Sequence, residues 1–551
     1  MPTKILVVGG VAAGASAAAK ARRTDEAAEI IILEQGPFVS FANCGLPYYV
    51  GRVIPKREDL LITTPERFKD HFNIEVRLQQ KALSIDPAGK QVVVKNLAAG
   101  EGYREKYDKL ILATGSAPVL PPLEGSGLAN IFHLWTIPDA DSISALLAGL
   151  GARTAVIIGG GFVGLEALEA LLARGLEVSL VEMLPQVLPA WDPEVAELVA
   201  GHLRDEGIQM ILGDGVRRFL GSGILQQVEL NSGRILQADL AVSAIGVRPR
   251  LELAREAGLK IGVTGGLEVN EKMQTSDPDI YAAGDIVQTR HLVSGRPVRL
   301  PLAGPANKQG RTAGANAAGG NMEFRGVLGS GIVRIGKLTV AKTGLNEQEV
   351  IDAGYQYDIS YTYPLDHAGY YPGAKFMLIK LMADKETGRL LGAQAVGYQG
   401  VDKRIDVLAT AMAAGFSVKD MENLELAYAP PYSSAKDPVS MAGMVASNIL
   451  RGEVPTLTAR DLRRELSNSA DIQLVDVRTT EEFNQGYISG AVHLPLDHFR
   501  QDISRLDSRK KTVVYCRSGY RSYLALKILQ QSGFREVFNL SGGYMNWSAA
   551  L

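Results

Sequence analysis

The sequence predicts an α/β protein built around two Rossmann-like dinucleotide-binding domains. Two stretches carry that prediction. Each runs from a short β-branched strand through a glycine turn into a helix, then into a second strand that ends in an acid. The length agrees: 551 residues, at roughly 150 per domain, leave room for three or four domains.

In the first stretch, Lys4-Ile5-Leu6-Val7-Val8 reads as a buried parallel strand. It stops at Gly9-Gly10-Val11-Ala12-Ala13-Gly14, and a small-residue helix is expected from Ala15 to Arg23. Strand Ile30 to Leu33 ends in Glu34, twenty residues after Gly14, where a ribose hydroxyl acceptor belongs. Val11 replaces the middle glycine of G-x-G-x-x-G, so the first turn is a variant. The second stretch fits in full. Ala155-Val156-Ile157-Ile158 enters Gly159-Gly160-Gly161-Phe162-Val163-Gly164, a helix follows from Leu165 to about Arg174, and strand Glu177 to Val181 ends in Glu182. Gly159 serves the turn, Gly161 the approach of a pyrophosphate, and Gly164 helix–strand packing, with phosphates facing the helix N-terminus. Neither Arg nor Lys lies between Met183 and Trp191, so nothing local would welcome a 2′-phosphate. With Glu182 as acceptor for the adenosine 2′-hydroxyl, the pocket favours NADH over NADPH. Two such folds point to two cofactors, a flavin and a nicotinamide.

Composition narrows the class. Lys+Arg is 58 and Asp+Glu 60, a net charge of −2 that gives no bulk drive toward nucleic acid or an anionic membrane. Hydrophobic residues make up 46% and charged residues 21%, as expected of a folded soluble protein. The two cysteines, Cys44 and Cys516, rule out a disulfide framework and a four-cysteine metal site; no metal is expected. No apolar run reaches the ~18–20 residues that span a bilayer. The N-terminal apolar stretch reads as a strand and not a signal peptide, and the expected location is the cytoplasm.

Between the two turns lie pieces that show a resemblance. Leu110-Ile111-Leu112-Ala113-Thr114-Gly115 and Thr275-Ser276-Asp277-Pro278-Asp279-Ile280-Tyr281-Ala282-Ala283-Gly284-Asp285 are similar to two motifs of the pyridine nucleotide–disulfide oxidoreductases. Four motifs appear in family order across about residues 1–450. The resemblance implies FAD held by Gly9, Gly14, Glu34, Thr114, Gly115 and Asp285, with Asp285 on the ribityl chain. The nicotinamide cofactor would be held by Gly159, Gly161, Gly164 and Glu182. The implied domains are 1–150 and 246–325 for FAD, 151–245 for NAD, and 326–450 for an α/β dimerisation domain of a homodimer.

Cys44 sits in Ser40-Phe41-Ala42-Asn43-Cys44-Gly45-Leu46-Pro47-Tyr48, and the other cysteine is 472 residues away. A disulfide between near neighbours is therefore impossible. Cys44 is expected to form a mixed disulfide with substrate, a persulfide or a sulfenic acid. The string closely resembles coenzyme A-disulfide reductases and their NADH oxidase, peroxidase and persulfide reductase relatives. Ser16, Lys20 and Arg23 share one face of the first helix at i, i+4, i+7. With Ser40 and Asn43 they are expected to form a cradle for the phosphates and pantetheine of coenzyme A, as the matching positions do in coenzyme A-disulfide reductases, and the resemblance adds Asn307 and Lys436. The seven histidines are at 71, 133, 202, 291, 367, 493 and 498, so none lies between 368 and 450, where dithiol relatives keep their acid. That interval carries Tyr370-Tyr371-Pro372-Gly373 and Ala427-Tyr428-Ala429-Pro430-Pro431-Tyr432 instead. Both resemble tyrosine motifs that, in coenzyme A-disulfide reductases, reach the active-site cysteine of the partner subunit. Tyr428 ranks first as proton or hydrogen-bond donor, then Tyr370, with Tyr371 their neighbour.

After the linker Arg451-Gly452-Glu453-Val454-Pro455, residues 457–551 resemble a rhodanese domain. They carry Leu474-Val475-Asp476-Val477-Arg478, then a strand Thr512 to Tyr515, then Cys516-Arg517-Ser518-Gly519-Tyr520-Arg521 opening a helix. A loop at a helix N-terminus, with Arg517 and Arg521 close by, suits a thiolate or an anionic persulfide. Its six residues are the sulfur-sized form; related phosphatases have one more.

The function expected is FAD-dependent, NADH-driven reduction of coenzyme A disulfide, coenzyme A persulfide or polysulfide through Cys44, with Cys516 carrying sulfane sulfur. One alternative is an NADH peroxidase or oxidase that cycles Cys44 through a sulfenic acid. Another is a sulfurtransferase whose flavin half is a sensor or scaffold.

Overall fold

The structure, a computed structural model, describes residues 2–120, 122–149, 151–468 and 471–549. Residues 1, 150 and 551, where three expected domain limits fall, lie outside the described residues. Two compact units emerge: Met1–Pro185 with Ile208–Val327, and Gln186–Gly207 with Leu328–Leu551.

The first unit holds two five-stranded parallel sheets. Lys4–Val8 lies between Lys109–Leu112 and Glu29–Glu34, flanked by Ile280–Ala282 and Glu75–Leu78. Its residues Ile5, Leu6 and Val7 are fully buried, which is why it reads as an unbroken apolar run. The second sheet places Thr154–Ile158 between Glu177–Glu182 and Leu240–Ser243, with Gln209–Leu212 and Ile131–Phe132 outside. Both helices begin three residues earlier than expected, at Ala12 and Phe162. Gly14 and Gly164 thus sit inside the first helical turn and not before it. The cause is contact: a Cβ at Gly14 would lie 1.8 Å from the Gly9 carbonyl oxygen, and one at Gly164 would lie 1.9 Å from that of Gly159. The turn can fold back only where the helix has no side chain.

The second unit contains a five-stranded antiparallel sheet ordered Gly331–Ile335, Leu338–Gly344, Leu390–Gly397, Leu378–Asp384, Tyr357–Thr362. Helices Val401–Ala413 and Pro438–Leu450 share its core. A parallel sheet ordered Thr456–Leu457, Val537–Leu540, Lys511–Tyr515, Ile472–Asp476, Val492–His493 forms the C-terminal part. Among the described residues no helix is long and apolar enough to cross a membrane.

One buried cation ties this second unit together. Lys380, fully buried in strand Leu378–Asp384, pairs with Asp192 at 2.8 Å, with Glu347 at 3.1 Å and with Glu194. Asp192, Glu194 and Glu347 are close enough to one another to hold a metal ion, and the cation among them is the Lys380 ammonium. Burial works against its charge, but Tyr361, Glu194, Asp192 and Glu347 outweigh that and hold its pKa well above the ordinary value. Glu347 also pairs with Arg460 of the C-terminal part. Tyr361 and Tyr363 extend the link: Ser541 Oγ accepts from the Tyr361 amide at 3.1 Å, and Asn546 Oδ1 accepts from the Tyr363 hydroxyl at 3.0 Å. Lys380→Met leaves two buried acids and the half-buried Glu194 without their cation, and breaking a buried pair this way costs about 3–5 kcal/mol. In a unit of this size that lowers the thermal midpoint by roughly 10 °C. Calorimetry checks this, and an unchanged midpoint contradicts it.

Candidate active site

Strand Lys4–Val8 delivers the chain to Gly9, whose φ of +99° and a Cβ that would lie 2.2 Å from the Ala113 carbonyl oxygen admit glycine alone. Glu34, at the end of the neighbouring strand, accepts from the amides of Gly10 and Gly36, both at 2.7 Å. Glu182 repeats this, accepting from Gly160 at 2.7 Å and Leu184 at 2.8 Å. Each acid therefore clamps its own glycine turn. A carboxylate has about four acceptor sites, so capacity remains for a ribose hydroxyl. Around Gly161 a Cβ would meet nothing within 4 Å, which leaves the second turn open to a phosphate.

Asp285 follows strand Ile280–Ala282, and burial pushes its carboxyl up. Ser116 and the charge of Arg299 act against that shift, and Arg299 Nη1 is buried without a hydrogen-bond partner among the described residues. Thr114 Oγ1 donates to the Arg250 carbonyl at 2.8 Å, and Gly115 next to it has φ +64°. A glycine in the left-handed region, a half-buried acid and the unsatisfied Arg299 Nη1 fit a polyhydroxylated phosphate-bearing group such as FAD.

Helix Ala12–Thr24 packs closely on helix Ala303–Ala317. A Cβ at Gly310 would lie 2.1 Å from the Ala13 carbonyl oxygen, and one at Gly314 2.0 Å from that of Ala17. This approach brings Ser16 Oγ to within 2.6 Å of Asn307 Oδ1, so two predicted coenzyme A contacts from distant parts of the chain meet. Lys20 is half-buried and Arg23 exposed, and among the described residues neither has an acidic partner. Arg22 between them is structural: its guanidinium is buried on the carbonyls of Phe72 at 2.8 Å and Asn73 at 3.0 Å.

Ser40 has φ +48°, a left-handed conformation costly for a residue with a side chain. It is held by its amide on the Gly10 carbonyl at 2.8 Å. Asn43 Nδ2 donates to the Trp135 carbonyl at 3.2 Å. Cys44 lies in the short turn Asn43–Gly45 and is exposed. The next helix, Leu46–Val50, packs on Phe162–Ala173: Arg174 Nη1 donates to the Val50 carbonyl at 2.8 Å. That packing brings up Glu166, which sequence reasoning passed over although it sits two residues after Gly164. Burial and the charge of Glu169 push the Glu166 carboxyl up to about 7. Burial and the charge of Glu166 in turn push the Cys44 thiol above its ordinary value.

In the second unit the hydroxyls of Tyr370 and Tyr428 meet at 2.7 Å, both side chains exposed. This bond pushes the Tyr428 phenol up. Whichever hydroxyl donates, the other keeps its proton for a third group. Tyr371 sits edge-on to His367, ring centroids 5.7 Å apart, and His367 Nδ1 lies 2.8 Å from Asp366. His367 lies just before the 368–450 interval, and nothing in its own sequence context marks it. Lys436 is exposed.

Cys516 is buried at the end of strand Lys511–Tyr515. Its Sγ accepts from the Gly519 amide at 3.1 Å and the Ser522 hydroxyl at 3.4 Å, at the start of helix Tyr520–Gln531. Gly519 caps that helix with φ +107°, which turns its N–H onto the sulfur. Arg517 lies 4.8 Å over the Phe376 ring, and Arg521 is paired with Glu482 at 2.7 Å.

Comparison with known proteins decides the family. The model of the pyridine nucleotide-disulphide oxidoreductases matches residues 3–310, its dimerisation domain matches 332–438, and the rhodanese-like domain matches 458–550. The chain belongs to the pyridine nucleotide-disulphide oxidoreductases. It is thus a flavoprotein oxidoreductase that draws on a pyridine nucleotide, joined here to a rhodanese domain. The structure of reduced Bacillus anthracis CoADR-RHD is 43% identical, with TM-score 0.97 over 100% of this chain and 98% of that one. An NAD-dependent persulfide reductase from A. fulgidus is 39% identical, with TM-score 0.93 over 99% and 100%. A Pyrococcus furiosus NAD(P)H sulfur oxidoreductase (CoA-dependent) is 37% identical over 80% of this chain and 98% of its own.

The Glu166 charge sets a test of the Cys44 environment. Glu166→Gln lowers the thiol pKa, so iodoacetamide alkylates Cys44 at lower pH than in the wild type. The gap is widest above about pH 7, where Glu166 is charged, and closes below it. An unmoved or higher inflection contradicts the pairing.

Proposed function

We propose that this protein reduces sulfur–sulfur bonds of coenzyme A disulfide, coenzyme A persulfide or polysulfide with NADH, in the cytoplasm and as a homodimer. The observation that carries the reading is the pairing of a lone redox cysteine, Cys44, with a second cysteine set in a sulfur-sized loop. A plain disulfide reductase has no use for the second. Bound FAD supplies two-electron transfer from the nicotinamide to the sulfur centre. Gly9, Gly14, Glu34, Thr114, Gly115 and Asp285 hold it, and Gly159, Gly161, Gly164 and Glu182 hold the nicotinamide cofactor.

The Cys44 thiolate attacks the substrate S–S bond, forms a mixed disulfide and expels the coenzyme A or sulfide thiolate. Tyr428 and Tyr370 of the partner subunit donate to the leaving sulfur, with Tyr371 beside them. A free phenol is a weak acid at pH 7, but a hydrogen bond to developing charge suffices. Ser16, Lys20, Arg23, Ser40, Asn43, Asn307 and Lys436 hold coenzyme A. The balance is one NADH and one proton for two thiols from the disulfide, or for one thiol and hydrogen sulfide from the persulfide. Cys516, with Arg517 and Arg521, carries sulfane sulfur to or from this centre.

Two measurements test the reading. Cys44→Ser keeps NADH-dependent flavin bleaching but loses turnover of both coenzyme A substrates. Cys516→Ser loses polysulfide- or thiosulfate-dependent sulfur transfer and keeps coenzyme A disulfide reduction. Peroxide or O2 turnover exceeding that of coenzyme A persulfide in steady-state NADH assays would give the enzyme to the oxidase reading.

The nucleotide preference is a further test. A hydrogen bond to a charged acceptor contributes about 1.5–3 kcal/mol, and a 2′-phosphate would face Glu182 as a like charge. NADH is therefore expected to exceed NADPH in kcat/KM by roughly 10–100-fold. Equal values contradict the Glu182 assignment.

A further inference from the structure

Tyr370 and Tyr428 stand on separate loops, and both side chains are exposed, yet their hydroxyls meet at 2.7 Å. Exposed side chains on independent loops do not hold such a distance unless something beneath fixes the loops, because ordering them costs conformational entropy. Arg404 lies beneath both. It comes from helix Val401–Ala413 and is 1% exposed. Its Nη2 reaches the Asp366 carbonyl at 2.9 Å in the first loop. The same atom reaches the Tyr432 carbonyl at 3.1 Å, and Ser433 Oγ and Asp437 Oδ2 each at 3.2 Å, in the second. Nη1 returns to its own helix start, the Gly400 carbonyl, at 3.2 Å. The loops also touch directly, the Ala368 amide donating to the Pro430 carbonyl at 3.3 Å.

We propose that Arg404 is a positioning residue for the tyrosine pair, a single guanidinium that clips the two tyrosine loops together and so sets the hydroxyl–hydroxyl distance. The proposal rests on the reading that these tyrosines serve the sulfur chemistry. Nη2 alone serves both loops while Nη1 holds its own helix, and a lysine, shorter and with one nitrogen, cannot keep both sets at once. Asp437 anchors the second loop: its Oδ2 accepts from Ser433 at 2.7 Å while its Oδ1 caps helix Pro438–Leu450 through the Val439 amide at 2.9 Å.

The test uses the full-length holoenzyme in four forms: Arg404→Lys, Asp437→Asn, Tyr428→Phe and Arg404→Lys with Tyr428→Phe. Arg404→Lys keeps the rate at which NADH bleaches the flavin, and loses roughly 10-fold or more in kcat with coenzyme A disulfide. In the Tyr428→Phe background the same change adds less than 2-fold, because the distance it sets no longer matters. Asp437→Asn preserves the helix cap and gives a smaller loss of the same kind, which keeps the proposal testable if Arg404→Lys does not fold. Arg404→Lys and Asp437→Asn both at wild-type kcat, or losses that multiply in the double variant, overturn the clip. Tyr428→Phe at wild-type kcat overturns the tyrosine reading and the clip with it, whereas loss in Tyr428→Phe alone overturns only the clip.

Discussion

The C-terminal half of the molecule depends on the charge of one lysine. Lys380 is taken wholly out of water, which by itself would cost several kcal/mol, and is retained because three carboxylates and the Tyr361 ring surround it. Those acids come from different places: Asp192 and Glu194 from the start of helix Pro193–Asp205, Glu347 from helix Glu347–Asp352. Glu347 reaches onward to Arg460 of the rhodanese domain. The dimerisation sheet and the rhodanese domain are thereby fixed to one another, so the loop carrying Cys516 has a defined place within that unit. Arg517 against Phe376, six residues beyond Tyr370, continues the same contact.

The two cysteines occupy opposite environments. Cys44 is exposed, on a short turn behind a strained Ser40, with an acid on the neighbouring helix that resists its ionisation. Cys516 is buried, with an amide and a hydroxyl donated to its sulfur. Donors aimed at sulfur stabilise an anion there, which suits the sulfane-carrying role proposed for Cys516. The role proposed for Cys44, meeting a bulky substrate, needs access more than stabilisation, and the exposed turn supplies that access.

Small residues do much of the assembly. The facing stripes Gly310, Gly314 and Ala13, Ala17 let two helices approach to backbone contact, and this is what joins Ser16 to Asn307. The glycines inside the first turn of each dinucleotide helix act in the same way, letting strand and helix close on the turn, and the second turn has open space for a phosphate at Gly161.

Much of this was legible in the sequence, because the features concerned are local. Strand, glycine turn, helix and terminal acid are set by backbone sterics over thirty residues. The spacing of Cys44, the tyrosine motifs and the Cys516 loop are likewise short strings whose chemistry follows from residue type. The helix starts were misread by three residues, since a glycine reads as a breaker until the strand it packs on is known. Glu166, His367 and Arg404 were missed for one reason. An acid, a histidine and an arginine carry no mark in sequence of what will surround them, and their roles come from partners on other elements. The residues proposed for the chemistry were thus picked out from the sequence alone. Which groups raise, orient and hold them was decided only by tertiary packing, because burial and hydrogen-bond partners are properties of elements brought together and not of any segment by itself.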